Sequence, residues 1–193
     1  IDELALPAQD HWLLLHGSLQ QRMAHLVRGG EWDAVGPAVA SVEERVLDSA
    51  FTVMDRPRRD GSVLEQMTLP QRHGGLGLRR TSPLEGRAAY LSAAAQAQQA
   101  MADGPTEFRP FQGPSGDKLR PLWEGLHAEG NGLWGDAVRT ADAASMPAIA
   151  AAQRTYSRHI AAQRYEALLA SFDAASSDGR RALARLRSCA CHA

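Results

Sequence analysis

Residues 72–80, Arg72-His73-Gly74-Gly75-Leu76-Gly77-Leu78-Arg79-Arg80, combine two things that a phosphate-binding loop needs. Glycines remove side-chain bulk, so the backbone can come close to a ligand; arginines bring charge and paired donors that match phosphate oxygens. The neighbourhood is basic too, with six arginines from Arg56 to Arg80 against Asp60 and Glu65. The same residues have an architectural explanation, in which the glycines make a tight turn that docks Leu76 and Leu78 into a helical core. A nucleotide-binding fingerprint is a poorer match. Neither G-x-G-x-x-G nor the P-loop with its Lys and Ser/Thr occurs, and no strand pattern precedes the segment.

A second basic group, Arg22, His25 and Arg28, recurs every three residues beside the apolar stripe of a helical stretch. Such a face can guide a duplex through phosphate contacts and shape, because side chains do not easily read the deep groove of an A-form helix. A solvated helix face has the same spacing. Catalytic and metal sites are not expected. Metal-assisted phosphoryl transfer needs clustered carboxylates, since hard cations take oxygen ligands. The chain has no Asp-Asp, and Glu43-Glu44 lies in a helical pattern where consecutive side chains diverge by about 100°. Cys189, Cys191 and His192 are too few and too closely spaced for structural zinc, and two cysteines two residues apart do not suit a disulfide. G-x-S-x-G is absent, and the histidines are not spaced as a helical metal pair. The expectation is no catalytic residue, no metal and no cofactor.

Length and charge set the outer bounds. The 193 residues suffice for one domain or two small ones, with a core that needs no disulfide. A formal net charge of −1 argues against a globally basic binder, although local patches bind phosphate at a neutral total. Lys118 is the only lysine, and a GC-rich coding sequence explains the arginine bias without reference to binding. No cationic, apolar leader follows Ile1, and no apolar run approaches the roughly 20 residues that span a bilayer. An intracellular, soluble protein without a membrane partner is expected.

The elements that must position these residues follow from periodicity. Trp12, Leu15, Leu19, Met23 and Leu26 form the stripe of a first helix that Gly29-Gly30 end. Gly36-Pro37 open a second, with Val39, Val42, Val46, Ala50 and Val53 inward; its β-branched valines need packing to hold the helix. Asp55 to Gln71 reads as a loop. Ser82, Pro83 and Glu85 make a capping box that starts a third helix with Leu84, Ala88, Leu91 and Ala95 inward, running to about Asp103-Gly104. Residues 104–117, with three prolines and three glycines, mark a boundary whose Phe108 and Phe111 suggest packing. Helical pieces follow at Leu119–His127 and Leu133–Ala144, then a helix from Pro147 to Phe172, then a last one from Ser177 or Asp178 that carries Leu183 and Leu186 among Arg180, Arg181, Arg185 and Arg187. The fold class is mainly α, an irregular multi-helix assembly with a Gly/Arg-rich loop and Pro/Gly-rich connections.

The order of these features, HWLLLHGSLQQRMAHLVRGG (His11 to Gly30), LPQRHGGLGLRR (Leu69 to Arg80) and TSPLEGRAAYLSAAAQA (Thr81 to Ala97), resembles the region just beyond the polymerase core in reverse transcriptases of non-LTR retrotransposons. The resemblance spans roughly residues 10 to 100, and RALARLRSCACHA is similar to a stretch further downstream in those proteins. It implies a thumb-like helical segment over 1–55, a basic loop over 56–80, and a helical linker over 81–193 that packs either separately or with 1–80. It also implies a non-catalytic nucleic-acid-positioning or scaffolding portion of an RNA-directed DNA polymerase, with RNA or an RNA–DNA duplex and an upstream palm as partners. The family's Tyr-x-Asp-Asp motif is missing, so polymerase activity is not expected of this chain alone. The binding residues would be Arg72, His73, Arg79, Arg80, Arg22, His25 and Arg28. The alternative is a helical protein-interaction module with no nucleic-acid role.

Overall fold

The computed structural model describes residues 6–55, 61–101, 104–105, 110–111, 116–130, 133, 145–172 and 176–190. Helices α1 (Ala8–Leu13), α2 (Gln20–Gly29), α3 (Trp32–Val53), α4 (Gly61–Thr68), α5 (Pro83–Ala100), α6 (Gly116–Glu129), α7 (Met146–Ala150), α8 (Ala152–Ser171) and α9 (Ser177–Ala190) follow in order. A π-helical stretch, Leu14–Leu19, joins α1 to α2, and a 3-10 turn, Gln71–His73, follows α4. There is no strand among the described residues, so the protein is mainly α. No helix among them is long and apolar enough to cross a membrane. The chain divides into two compact units that interleave along the sequence. One takes Ile1–Met23, Ala40–Arg80 and Arg158–Ala193; the other takes Ala24–Val39 and Thr81–Ser157.

The first unit is built on the inward stripe of α3. Val46, Leu47, Ala50 and Phe51 are buried with Leu15, Met67 and Leu78, and Trp12, Leu19, Val63 and Leu64 pack around them. Met67, Val63 and Leu64 belong to α4, which lies within the stretch expected to be a loop. Its helical spacing is only two turns long, and glycine and charge surround it; burial against α3 and Leu15 stabilises what local propensity would not. Arg164 of α8 ties α4 down, donating to Glu65 Oε2 at 3.0 and 2.8 Å and to the Thr68 hydroxyl. The π stretch also corrects the first stripe: Leu26 is half exposed, and Val27 is buried in its place. A π turn holds one residue more than an α turn, which delays the downstream apolar positions by one.

In the second unit, α5 starts as its sequence dictates. Ser82 Oγ accepts from the Glu85 backbone N–H at 3.2 Å, and Glu85 Oε2 accepts from the Ser82 backbone N–H at 3.1 Å. The helix ends at Ala100 rather than near Gly104. Helix α3 begins at Trp32, five residues before Pro37, which is therefore inside the helix. The first turn survives because the Glu31 carbonyl accepts from Ala34 and Val35 N–H, and because Trp32 and Val35 pack around Val27, Val39 and Ala89. The helix expected from Pro147 to Phe172 breaks at Ala151. There the Ala150 carbonyl accepts from Ser92 Oγ and Gln96 Nε2 of α5, which draws it out of the helical ladder. The boundary loop packs at Phe111, which is buried and donates its N–H to Gln98 Oε1 at 2.6 Å. Phe108 and most of Leu133–Ala144 lie outside the described residues.

Candidate nucleic-acid interface

The loop Leu69–Arg80 lies wholly in the first unit, and its backbone folds onto itself. After Pro70 the chain makes one 3-10 turn and ends it at Gly74, whose φ of 73° is left-handed. It then doubles back. Gly75 N–H donates to Pro70 O at 3.2 Å, Gly77 N–H to Leu69 O at 2.9 Å, and Leu78 N–H to Met67 O at 3.1 Å. A Cβ on Gly75 would lie 2.0 Å from the Leu69 carbonyl oxygen, so only glycine allows this approach, and Gly77 has a φ of 75°. Leu69 packs on Leu168 and Tyr165 of α8, and Leu78 enters the α3 core. The architectural role thus falls on Leu69 and Leu78. Leu76, expected inside, is 38% exposed.

With glycines and leucines committed to the frame, Arg72, Arg79 and Arg80 are left exposed. Arg80 approaches Glu44 Oε1 only to 3.9 Å, with both side chains nearly half exposed, a pairing of little energy. His73 is more constrained. Its ring stacks on Tyr165 with centroids 4.9 Å apart, and Arg72 Nε donates to its Nε2 at 3.3 Å. Burial first, and then the Arg72 charge, hold the His73 pKa below 6.5, while Glu166 opposes them. At neutral pH the imidazole is therefore mainly neutral, and it accepts from Arg72 rather than adding a cation to the loop.

The other basic group is divided between the two units. Arg22 is exposed on α2 within the first unit, whereas His25 and Arg28 belong to the second. Arg28 is spent on packing, donating to Gln153 Oε1 at 3.0 Å and to Gln96 Oε1 at 2.5 Å. Helix α9, outside the expected set, packs against the Gln71–His73 turn, and its Arg180, Arg181, Arg185 and Arg187 are exposed. Their crowding was visible in the sequence; the packing of α9 on the turn was not, because more than a hundred residues intervene.

Among the described residues no group of His, Cys, Asp and Glu could hold a metal ion. Cys191 and His192, from the zinc motif considered above, lie outside them. No protein-family model matches this chain, and no curated protein sequence or solved structure matches it either.

Proposed function

We propose that this chain is a non-catalytic, nucleic-acid-positioning portion of a reverse-transcriptase-type protein, in which the Leu69–Arg80 loop sets guanidinium groups against the phosphates of an RNA or RNA–DNA duplex. The observation that carries the proposal is the division of labour within the loop. Leu69, Gly75 and Leu78 fix the backbone, while the three arginines remain exposed on it. A cation on a rigid frame loses less freedom when it binds than one on a mobile segment. Helix α9, which carries four exposed arginines, packs against the 3-10 turn and adds positive charge to this unit. If the chain belongs to a longer protein, an upstream palm would supply the chemistry.

The test is duplex binding by Arg72→Ala/Arg79→Ala/Arg80→Ala at several salt concentrations. Each lost phosphate contact lowers the log–log salt slope by about 0.7 to 0.9, so three contacts lower it by about 2 to 2.7. Stability should barely change, because all three side chains are exposed. Unchanged affinity and slope in the folded variant would overturn the proposal. A helical protein-interaction module would then be the better account. Its supporting observation is the exposed apolar group Leu6, Leu13 and Leu14 around α1, with Leu13 60% exposed.

A further inference from the structure

The π-helical stretch Leu14–Leu19 and the Gly/Arg loop meet within the first unit. The meeting point is Gly77, whose φ is 75° and which has no side chain to interpose. The position that a Cβ would take there is bordered by the imidazole of His16, with Nε2 at 3.2 Å and Cδ2 at 3.9 Å, and by Gln71 Cγ at 3.9 Å. Gly75 differs, because the same position on it is filled by the Leu69 carbonyl at 2.0 Å. Glycine at 75 closes the loop, whereas glycine at 77 leaves one side of the backbone open to a ligand atom. An atom that approaches on that side comes up against His16 Nε2.

His16 is suited to receive such an atom. Its ring is half-buried and stacks on Trp12 with the planes 16° apart. Trp12 packs on the α3 core in turn, so the imidazole is held in orientation. Among the described residues neither ring nitrogen of His16 makes a hydrogen bond, and neither is sealed from solvent. The neighbouring histidines are different: His11 Nε2 bonds Ser49 Oγ at 3.0 Å, and His73 Nε2 accepts from Arg72. The residue also sits where a π turn interrupts the α-helix, and π turns are rare and recur at functional sites. The loop that it faces carries the exposed Arg72, Arg79 and Arg80, which favour an anion there. An imidazole that donates from Nε2 serves a phosphate oxygen whether the ring is neutral or protonated.

We propose that His16 is a further phosphate contact of this site, its Nε2–H donating to a backbone oxygen of the duplex seated beside Gly77. The inference rests on the nucleic-acid reading of the loop and adds to it a residue from a distant segment of the chain. It is tested on the full chain with a blunt RNA–DNA duplex about one helical turn long, comparing the parent with His16→Phe and His16→Gln. Phenylalanine keeps a ring against Trp12 and has no donor; glutamine gives up the ring and keeps an N–H of similar reach. Affinity should be about tenfold lower for His16→Phe, as for one lost hydrogen bond to a charged group, and near that of the parent for His16→Gln. In the parent, the ring-nitrogen NMR signals of His16 should move on adding duplex and stay in place with inorganic phosphate at the same phosphate concentration. Parent-like affinity in His16→Phe, together with weakened binding in the arginine triple variant, would overturn this inference and leave the loop reading standing. Unchanged binding in the arginine triple variant would remove the loop reading and this inference with it. An equal loss in both His16 variants would assign the residue to packing, and an equal movement with inorganic phosphate would reduce the site to an adventitious ion only; either result overturns the proposal.

Discussion

Gly75→Ala puts the loop architecture under direct strain. The new methyl carbon would lie 2.0 Å from the Leu69 carbonyl oxygen and 2.4 Å from its carbon, so the two strands of the loop must separate by about 1 Å. That carbonyl also accepts the Gly77 N–H at 2.9 Å, and Leu69 is fully buried against Leu168. Separation therefore costs packing of about 1 to 3 kcal/mol and a hydrogen bond of about 1 kcal/mol, or roughly 2 to 4 kcal/mol in all. In a chain of this length each kcal/mol moves the thermal midpoint by about 2 to 4 °C, so a fall of roughly 10 °C is expected. Gly29→Ala is the control, since nothing lies within 4 Å of its Cβ position on α2; it should be neutral or stabilising by up to about 1 kcal/mol. Thermal and urea unfolding of the pair decide the matter. If both variants melt together, Gly75 is not pressed on Leu69, and the frame that presents the arginines is not the one described.

Two other predictions rest on local geometry. Ser82→Ala removes the acceptor for the Glu85 N–H at the start of α5 and should cost about 1 kcal/mol in chemical unfolding, whereas Ser82→Asp should largely retain the cap. His73 should titrate below 6.5 in an NMR pH series, because burial and Arg72 both disfavour its charged form. Its folded pKa lies below the unfolded one, so protonation favours the unfolded chain. Its contribution to stability is intact above about pH 6.5 and declines as pH falls through 6.5 towards the folded value; His73→Gln should remove that part of the acid slope. A His73 midpoint at or above 6.5 in the free chain would contradict the stacked, desolvated ring.

Much of the fold was legible where one segment decides its own structure. The capping box at Ser82-Glu85 needs only neighbours three residues away and forms as the sequence indicates; of the α3 stripe Val39, Val46 and Ala50 are buried, Val42 and Val53 only partly so, and Leu47 and Phe51 join the core. The departures have non-local causes. Nothing in the α4 sequence announces that Glu65 and Thr68 will meet Arg164, about a hundred residues later. Nothing before Ala151 announces that Ser92 and Gln96 will take the Ala150 carbonyl from its helix. Helix α3 starts before Pro37, although proline is a helix-starting signal, because the packing of Trp32 holds an earlier first turn. The interleaving of the two units leaves no linear mark, since α2, α3 and α8 each contribute to both.

The Gly/Arg loop shows why residue type alone could not choose between architecture and binding. Architecture does not exclude binding, because it engages residues other than the arginines. Gly75 and Leu69 are unavailable to a ligand because they touch each other, and Leu78 is unavailable because it completes the α3 core. Arg72, Arg79 and Arg80 contribute almost nothing to that frame. Substituting the glycines therefore tests the frame, and substituting the arginines tests the function. A Gly75 variant that loses duplex binding would be uninformative about phosphate contacts, since the arginines would have moved with the backbone. The arginine triple variant, matched to the parent in thermal midpoint, separates the two roles, because it removes charge from a loop whose path is set by residues it leaves untouched.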